Sequence, residues 1–254
     1  MRKKSGQSSS PSKVPEVILI FWIIKIAATT LGETGGDMVS MSMNLGYLVG
    51  TAIFAVIFAG AVLVQIQAKK FHPVIYWSTI IATTTVGTTL ADFADRSLGI
   101  GYAGGSSLLL ALLLGSLAAW YFTMGSVAIE TVKGPKTEMF YWSTIMFSQT
   151  LGTALGDWVA DTEKFGYGGG MVIFGGLLAL LAILYFRTRV SRTFLFWAAF
   201  ILTRPLGAVL GDFLDKPLDH GGLALSRYGA SGVLLAFILG SIHLFPQRAA
   251  RKPH

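Results

Sequence analysis

The sequence predicts an all-α polytopic membrane protein of about eight transmembrane helices, arranged as four parallel two-helix repeats. Three observations predict it. Of 254 residues, 53% are hydrophobic and only 13% charged, against about 25% charged in an ordinary soluble domain; mean hydropathy is +0.62. Apolar residues gather into eight stretches near 17–38, 45–67, 73–93, 103–124, 138–158, 168–187, 193–212 and 229–245. Most approach the roughly 20 residues that a helix needs to cross a bilayer. Finally, Trp22, Trp77, Trp142 and Trp197 are spaced by 55, 65 and 55 residues, with other columns in register around them.

Each element has its own reason. Residues 1–14 form a basic, polar tail. With the next apolar run they mimic a signal peptide, but that run belongs to the repeat and is read as a retained helix. The repeats are then 15–68, 69–133, 134–188 and 189–246, followed by a second basic tail, 247–254. In each repeat an aromatic residue precedes the Trp: Phe21, Tyr76, Tyr141 or Phe196. Ten residues after the Trp stands Gly32, Gly87, Gly152 or Gly207, and fifteen after it Asp37, Asp92, Asp157 or Asp212. A Gly-Tyr pair ending in Tyr47, Tyr102 or Tyr167 opens the second helix of the first three repeats. The stretches are too long and continuous for barrel strands. Two helices per repeat return the chain to the same side, so the repeats are parallel.

Orientation follows from Lys and Arg. Fourteen lie in the tails and alternate turns on one side, and four (Arg96, Lys164, Lys216 and Arg227) on the other. Both termini are expected in the cytoplasm of a bacterial cell, with the protein in its inner membrane. The net charge of +7 thus reports orientation and not a nucleic-acid partner. The Trp column is expected at the cytoplasmic interface. Fifteen residues rise about 22 Å, which sets the four aspartates at one level near the opposite face.

Ionisable groups within spanning helices are costly, about 2.5–3.5 kcal/mol each on insertion scales, and usually functional. Glu33 and Asp37 are one helical turn apart. Lys25 precedes Glu33 by two turns, a spacing repeated by Arg204 and Asp212 and by Gln149 and Asp157. The expected site is therefore Glu33, Asp37, Asp92, Asp157 and Asp212. Thr30, Thr85 and Gln149 serve as secondary oxygen ligands, and Lys25 and Arg204 as counter-ions. A ring of carboxylates suits a hard divalent cation and also proton coupling. The competing reading of each Gly-Asp is helix termination. The glycine column reads as close packing. Asp95, Asp161 and Asp215 read as a solvated loop face or a vestibule that concentrates cations.

No Cys is present, which excludes a disulfide scaffold, thiolate metal sites and a Cys nucleophile. No catalytic constellation and no nucleotide-binding motif appears either, so neither enzyme activity nor a bound cofactor is expected.

The segments from Lys25 to Met38 (KIAATTLGETGGDM) and Phe200 to Leu218 (FILTRPLGAVLGDFLDKPL) resemble a bacterial family of uncharacterised membrane-anchored proteins built from a repeat of unknown function. The resemblance spans about residues 15–245 and implies an inner-membrane helical bundle. A weaker resemblance is to manganese/calcium–proton exchangers with the signature E-x-G-D-[KR]-[ST]. Here Glu33-Thr-Gly-Gly-Asp37-Met has one extra residue and lacks the following base, and the other repeats have Thr88, Thr153 and Ala208 in place of Glu33. The functional expectation is a secondary transporter of a divalent cation, with manganese export favoured and the coupling ion left open, protons among the candidates. The alternatives are a proton-coupled transporter of an organic solute, in which Lys25 and Arg204 bind an anionic group, and a non-transporting scaffold or sensor. The expected partners are the lipid bilayer, the cation and a second copy of the chain.

Overall fold

The computed structural model describes residues 12–162 and 165–250. Among them are eight long helices: α1 (Leu19–Asp37), α2 (Gly46–Gln67), α3 (Pro73–Asp92), α4 (Tyr102–Met124), α5 (Pro135–Asp157), α6 (Gly166–Arg187), α7 (Arg192–Asp215) and α8 (Arg227–Leu244). The expected Arg2, Lys3, Lys4, Lys164, Arg251 and Lys252 lie outside the described residues. Six helices are long and apolar enough to cross a membrane; α1 and α5 are not among them. Both carry the polar load of the repeat, Lys25, Glu33 and Asp37 in one and Gln149 and Asp157 in the other.

Local chemistry sets the helix ends. Prolines occupy the first turn of α3 and α5, where a missing N–H costs nothing. Ser191 and Ser226 cap α7 and α8 through their hydroxyls. Gly125 ends α4 in the left-handed conformation, at φ 76°. The chain does not stop at the Gly-Asp motif of the first three repeats. It widens into five-residue π-helical segments, Met38–Ser42, Phe93–Ser97 and Trp158–Thr162. In the fourth repeat α7 runs on as α-helix to Asp215. The α-helical pattern thus ends at three of the aspartates, while the chain stays helical beyond them.

The helices form two layers. The four motif helices close an inner ring, α1 on α3, α3 on α5, α5 on α7 and α7 on α1. Each outer helix packs on the motif helix of the next repeat: α2 on α3, α4 on α5, α6 on α7, and α8 back on α1. The division shows in burial. The most apolar window is 72% buried in α3 and 61% in α7, but 6% in α2, 11% in α4 and α6, and 17% in α8. Val56, Phe122, Val172, Phe186 and Val233 point outward from the outer helices and are exposed.

The glycine column makes the ring possible. A Cβ on Gly32 would strike Thr84; on Gly87, the backbone of Gln149; on Gly152, Arg204; on Gly207, Thr29. Each glycine thus receives the equivalent residue of the following repeat, and the fourth receives that of the first. The aromatic pairs obey the same rule. Ring centroids lie 5.4 Å apart for Phe21–Trp77, 5.7 Å for Tyr76–Trp142, 6.1 Å for Tyr141–Trp197 and 6.0 Å for Phe196–Trp22. This corrects the expected interfacial role of the Trp column. Trp77, Trp142 and Trp197 are buried in the main core, because ring closure turns each toward its neighbour.

The end of the basic tail is also not free. Ser12, Lys13 and Val14 are buried. Lys13 Nζ lies 2.7 Å from Glu138 Oε1 and donates to the Ile66 carbonyl at 2.8 Å. Pro15 bridges to Ala249, so the two chain ends meet at the aromatic end of the bundle.

Candidate functional site

Four-residue steps keep side chains on one helical face. Counting 3, 7, 11 and 15 residues past each Trp gives four layers stacked above the aromatic ring. The first holds Lys25, Ile80, Ile145 and Phe200. The second holds Thr29, Thr84, Gln149 and Arg204, the third Glu33, Thr88, Thr153 and Ala208, and the fourth the four aspartates. All are buried.

Arg204 spans the middle of the ring. Its Nη2 donates to Glu33 Oε2 at 2.9 Å, to Thr88 Oγ1 at 2.6 Å and to Thr153 Oγ1. Those are the third-layer residues of the other three repeats. Arg204 was expected to oppose the carboxylates, and Glu33 is the one it pairs with. Lys25 was expected to do the same, but makes no ion pair among the described residues. Its Nζ sits 4.2 Å from the centroid of the Phe200 ring. Geometry explains the difference. Lys25 is two turns, about 12 Å of helix rise, below Glu33, whereas Arg204 is one layer below it on the adjacent helix.

The aspartate layer is held by two cationic clamps. Lys216 Nζ lies 2.5 Å from Asp37 Oδ2 and 3.1 Å from Asp212 Oδ1, joining the first and fourth repeats. Arg96 joins the second and third, with Nε 2.9 Å from Asp92 Oδ1 and Nη2 3.2 Å from Asp157 Oδ2. Lys216 and Arg96 both stand nineteen residues after their Trp. The four-fold arrangement of carboxylates is thus bridged as a two-fold pair, one cation to two aspartates. Burial alone would lower the Lys216 pKa, but Asp212 and then Asp37 outweigh it and hold it well above the ordinary lysine value. Lys216 therefore remains charged at neutral pH.

Arg227 adds a third cation, with Nε 2.9 Å from Asp215 Oδ2 and Nη2 3.8 Å from Asp37 Oδ2. Asp215 is buried by this pairing, so it does not lie on a solvated loop face. Asp161 is exposed, and Asp95 is intermediate.

Two groups of carboxylates are close enough to share a cation. One oxygen from each of Glu33, Asp37 and Asp92, and one from each of Asp37, Asp212 and Asp215, lie within 4.8 Å of the others in the group. Asp37 belongs to both. Asp157 belongs to neither. The expected secondary ligands are used otherwise. Thr30 and Thr85 donate to the carbonyls of Ile26 and Ile81 in their own helices, at 3.0 and 2.8 Å. Gln149 has neither side-chain atom hydrogen-bonded.

Sequence reasoning missed Arg96, Lys216 and Arg227, having counted them as loop charges. For the first two a signal existed. Each follows its repeat's aspartate by four residues, the spacing of a helical ion pair. Thr88 and Thr153 occupy the Glu33 column without its carboxylate, and nothing in the sequence shows that both accept from Arg204.

The profile of the family described as Repeat of Unknown Function (DUF347) matches the chain four times, at residues 20–71, 75–126, 140–191 and 195–246. No curated protein and no solved structure matches.

Proposed function

The chain belongs to the DUF347 repeat family, and from that premise we propose that it is a secondary transporter of a divalent cation. The observation that carries this reading is the pair of three-carboxylate groups meeting at Asp37. They lie where three tethered cations, from Lys216, Arg96 and Arg227, occupy the carboxylates. In this reading all eight helices span a bacterial inner membrane, the repeats are parallel and both termini are cytoplasmic. The polar α1 and α5 cross because the ring shields them from lipid. The excess of Lys and Arg at the aromatic end supports that end as the cytoplasmic one.

A cation arriving at the acidic end displaces the Lys216 ammonium from Asp37 and Asp212. It finds only oxygen ligands, which suits manganese, calcium and magnesium. Manganese is the favoured cargo, by the resemblance of the Glu33–Asp37 string to proton-coupled exchangers. The tethered cations offset part of the carboxylate charge in the ion-free state, where unpaired buried carboxylates cost several kcal/mol each.

The test is flux into proteoliposomes of manganese, calcium, magnesium and zinc, with and without a pH gradient. Wild type is expected to carry one metal saturably. Asp37→Asn should lose that flux while keeping the wild-type helical content and elution volume. Undiminished flux in Asp37→Asn, or no flux of any metal by correctly inserted wild type, would overturn the reading.

A further inference from the structure

Below the carboxylates, the second layer holds polar groups that the cation reading does not use. Arg204 commits only Nη2; its Nε and Nη1 are buried without a hydrogen-bond partner. The same holds for Lys25 Nζ, for both amide atoms of Gln149 and for Thr84 Oγ1. Thr84, Gln149 and Arg204 occupy one layer, from three different repeats. Lys25 lies one turn below, on α1, the remaining motif helix, with its side-chain nitrogen against Phe200 beneath Arg204. All four residues have zero solvent exposure.

The chemistry of this set is one-sided. Glu33 offsets the charge of Arg204, and no carboxylate among the described residues pairs with Lys25. Of the unpartnered groups, Lys25 Nζ, both Arg204 nitrogens and Gln149 Nε2 donate only, Thr84 Oγ1 can donate, and Gln149 Oε1 alone is restricted to accepting. Buried donors without acceptors cost about 1–3 kcal/mol each, more when charged. A neutral ligand or water meets only the hydrogen-bonding needs, whereas a protonated Lys25 near the Arg204 guanidinium also calls for a counter-charge. A small anion meets both.

We propose that Lys25, Thr84, Gln149 and Arg204 form a central binding site for a small monovalent anion, one layer below the carboxylates. A halide and the carboxylate head of an organic acid share the required chemistry. The site stands apart from the cation reading: it uses other residues, and its test measures binding, not flux.

The experiment uses the detergent-purified full chain in Tris–HEPES buffer free of halide and carboxylate, titrated separately with bromide, formate and acetate, with thermal unfolding as the readout. Wild type should show a saturable rise in unfolding temperature with at least one of them. Bromide alone would identify an inorganic anion site, and formate or acetate an organic-acid site. Gln149→Leu should weaken binding at least tenfold. Lys25→Met should abolish it, while itself melting no lower than wild type in the halide- and carboxylate-free buffer, because Met fills a similar volume without an unpartnered amine. Asp219→Asn, exposed in a distant loop, should bind as wild type. No saturable shift with any anion, or an equal shift in Lys25→Met, would overturn the proposal.

Discussion

In the transport reading proposed above, Lys216 sits at the point where charge pairing and cation binding meet. It is the only residue whose charge touches both Asp37 and Asp212 among the described ion pairs, and its raised pKa keeps it protonated. By linkage, its contribution to stability is complete below the unfolded lysine value, about 10.4. It fades only as pH rises through the higher folded value. Neutral-range pH changes should therefore leave this clamp closed, and an arriving ion must compete with it. Lys216→Met removes the competitor. The apparent KM for the transported cation should fall about tenfold, equivalent to about 1.4 kcal/mol. Maximal flux should fall too, because nothing then displaces the bound ion. A concentration series in proteoliposomes measures both, and a rise in KM would contradict the competitive role.

At the scale of the element, the motif helices are shaped by a column eight residues past each Trp. Thr30, Thr85 and Thr150 fold their hydroxyls back onto carbonyls one turn below, at 3.0, 2.8 and 3.0 Å. The fourth repeat has Pro205 there, inside α7. Back-bonded threonine and internal proline both loosen the helical ladder, so four helices share one weakened level by two chemical routes. Two turns higher, the first three pass into π-helical segments, a geometry often found at functional sites.

Glycines on these helices do not all carry the same burden. A Cβ on Gly207 would meet Thr29, including its backbone carbon at 2.9 Å, whereas a Cβ on Gly35 meets nothing within 4 Å. Gly207→Ala should destabilise by about 1–3 kcal/mol, the usual cost of overpacking. Gly35→Ala should be neutral or gain up to about 1 kcal/mol of helix propensity. Thermal unfolding of the two variants in the same detergent checks the contrast, and equal melting would count against the close contact between α1 and α7.

For the whole molecule, the consequential feature is that the outer layer closes through the last helix. α8 packs on α1, where Thr34 Oγ1 and Ser231 Oγ stand 2.9 Å apart. The native chain has no Cys, so an engineered pair reports without background. The double variant Thr34→Cys/Ser231→Cys should form an intramolecular disulfide on mild oxidation, seen as a faster-migrating band that reductant removes. Failure of the pair to form, with both thiols reactive in the unfolded chain, would mean that the fourth repeat does not close on the first.

Much of this was legible in the residues alone. Eight apolar stretches, the four Trp–Gly–Asp columns and the convergence of the aspartates follow from periodicity, because a repeated sequence that buries a repeated polar stripe must bring equivalent positions together. The close-packing glycines were legible for the same reason. What the sequence could not decide was which residue faces which across the ring. Lys25 and Arg204 look alike in spacing, yet only Arg204 reaches a carboxylate, because ring packing places it one layer below Glu33 on the neighbouring helix. Arg96 and Lys216 look like loop charges, yet each curls back one turn onto two aspartates. Arg227, in the last repeat, reaches Asp37 in the first. Hydropathy reads the environment of a helix face by itself. The pairing of charges depends on the distances between helices, and those exist only once the ring has closed.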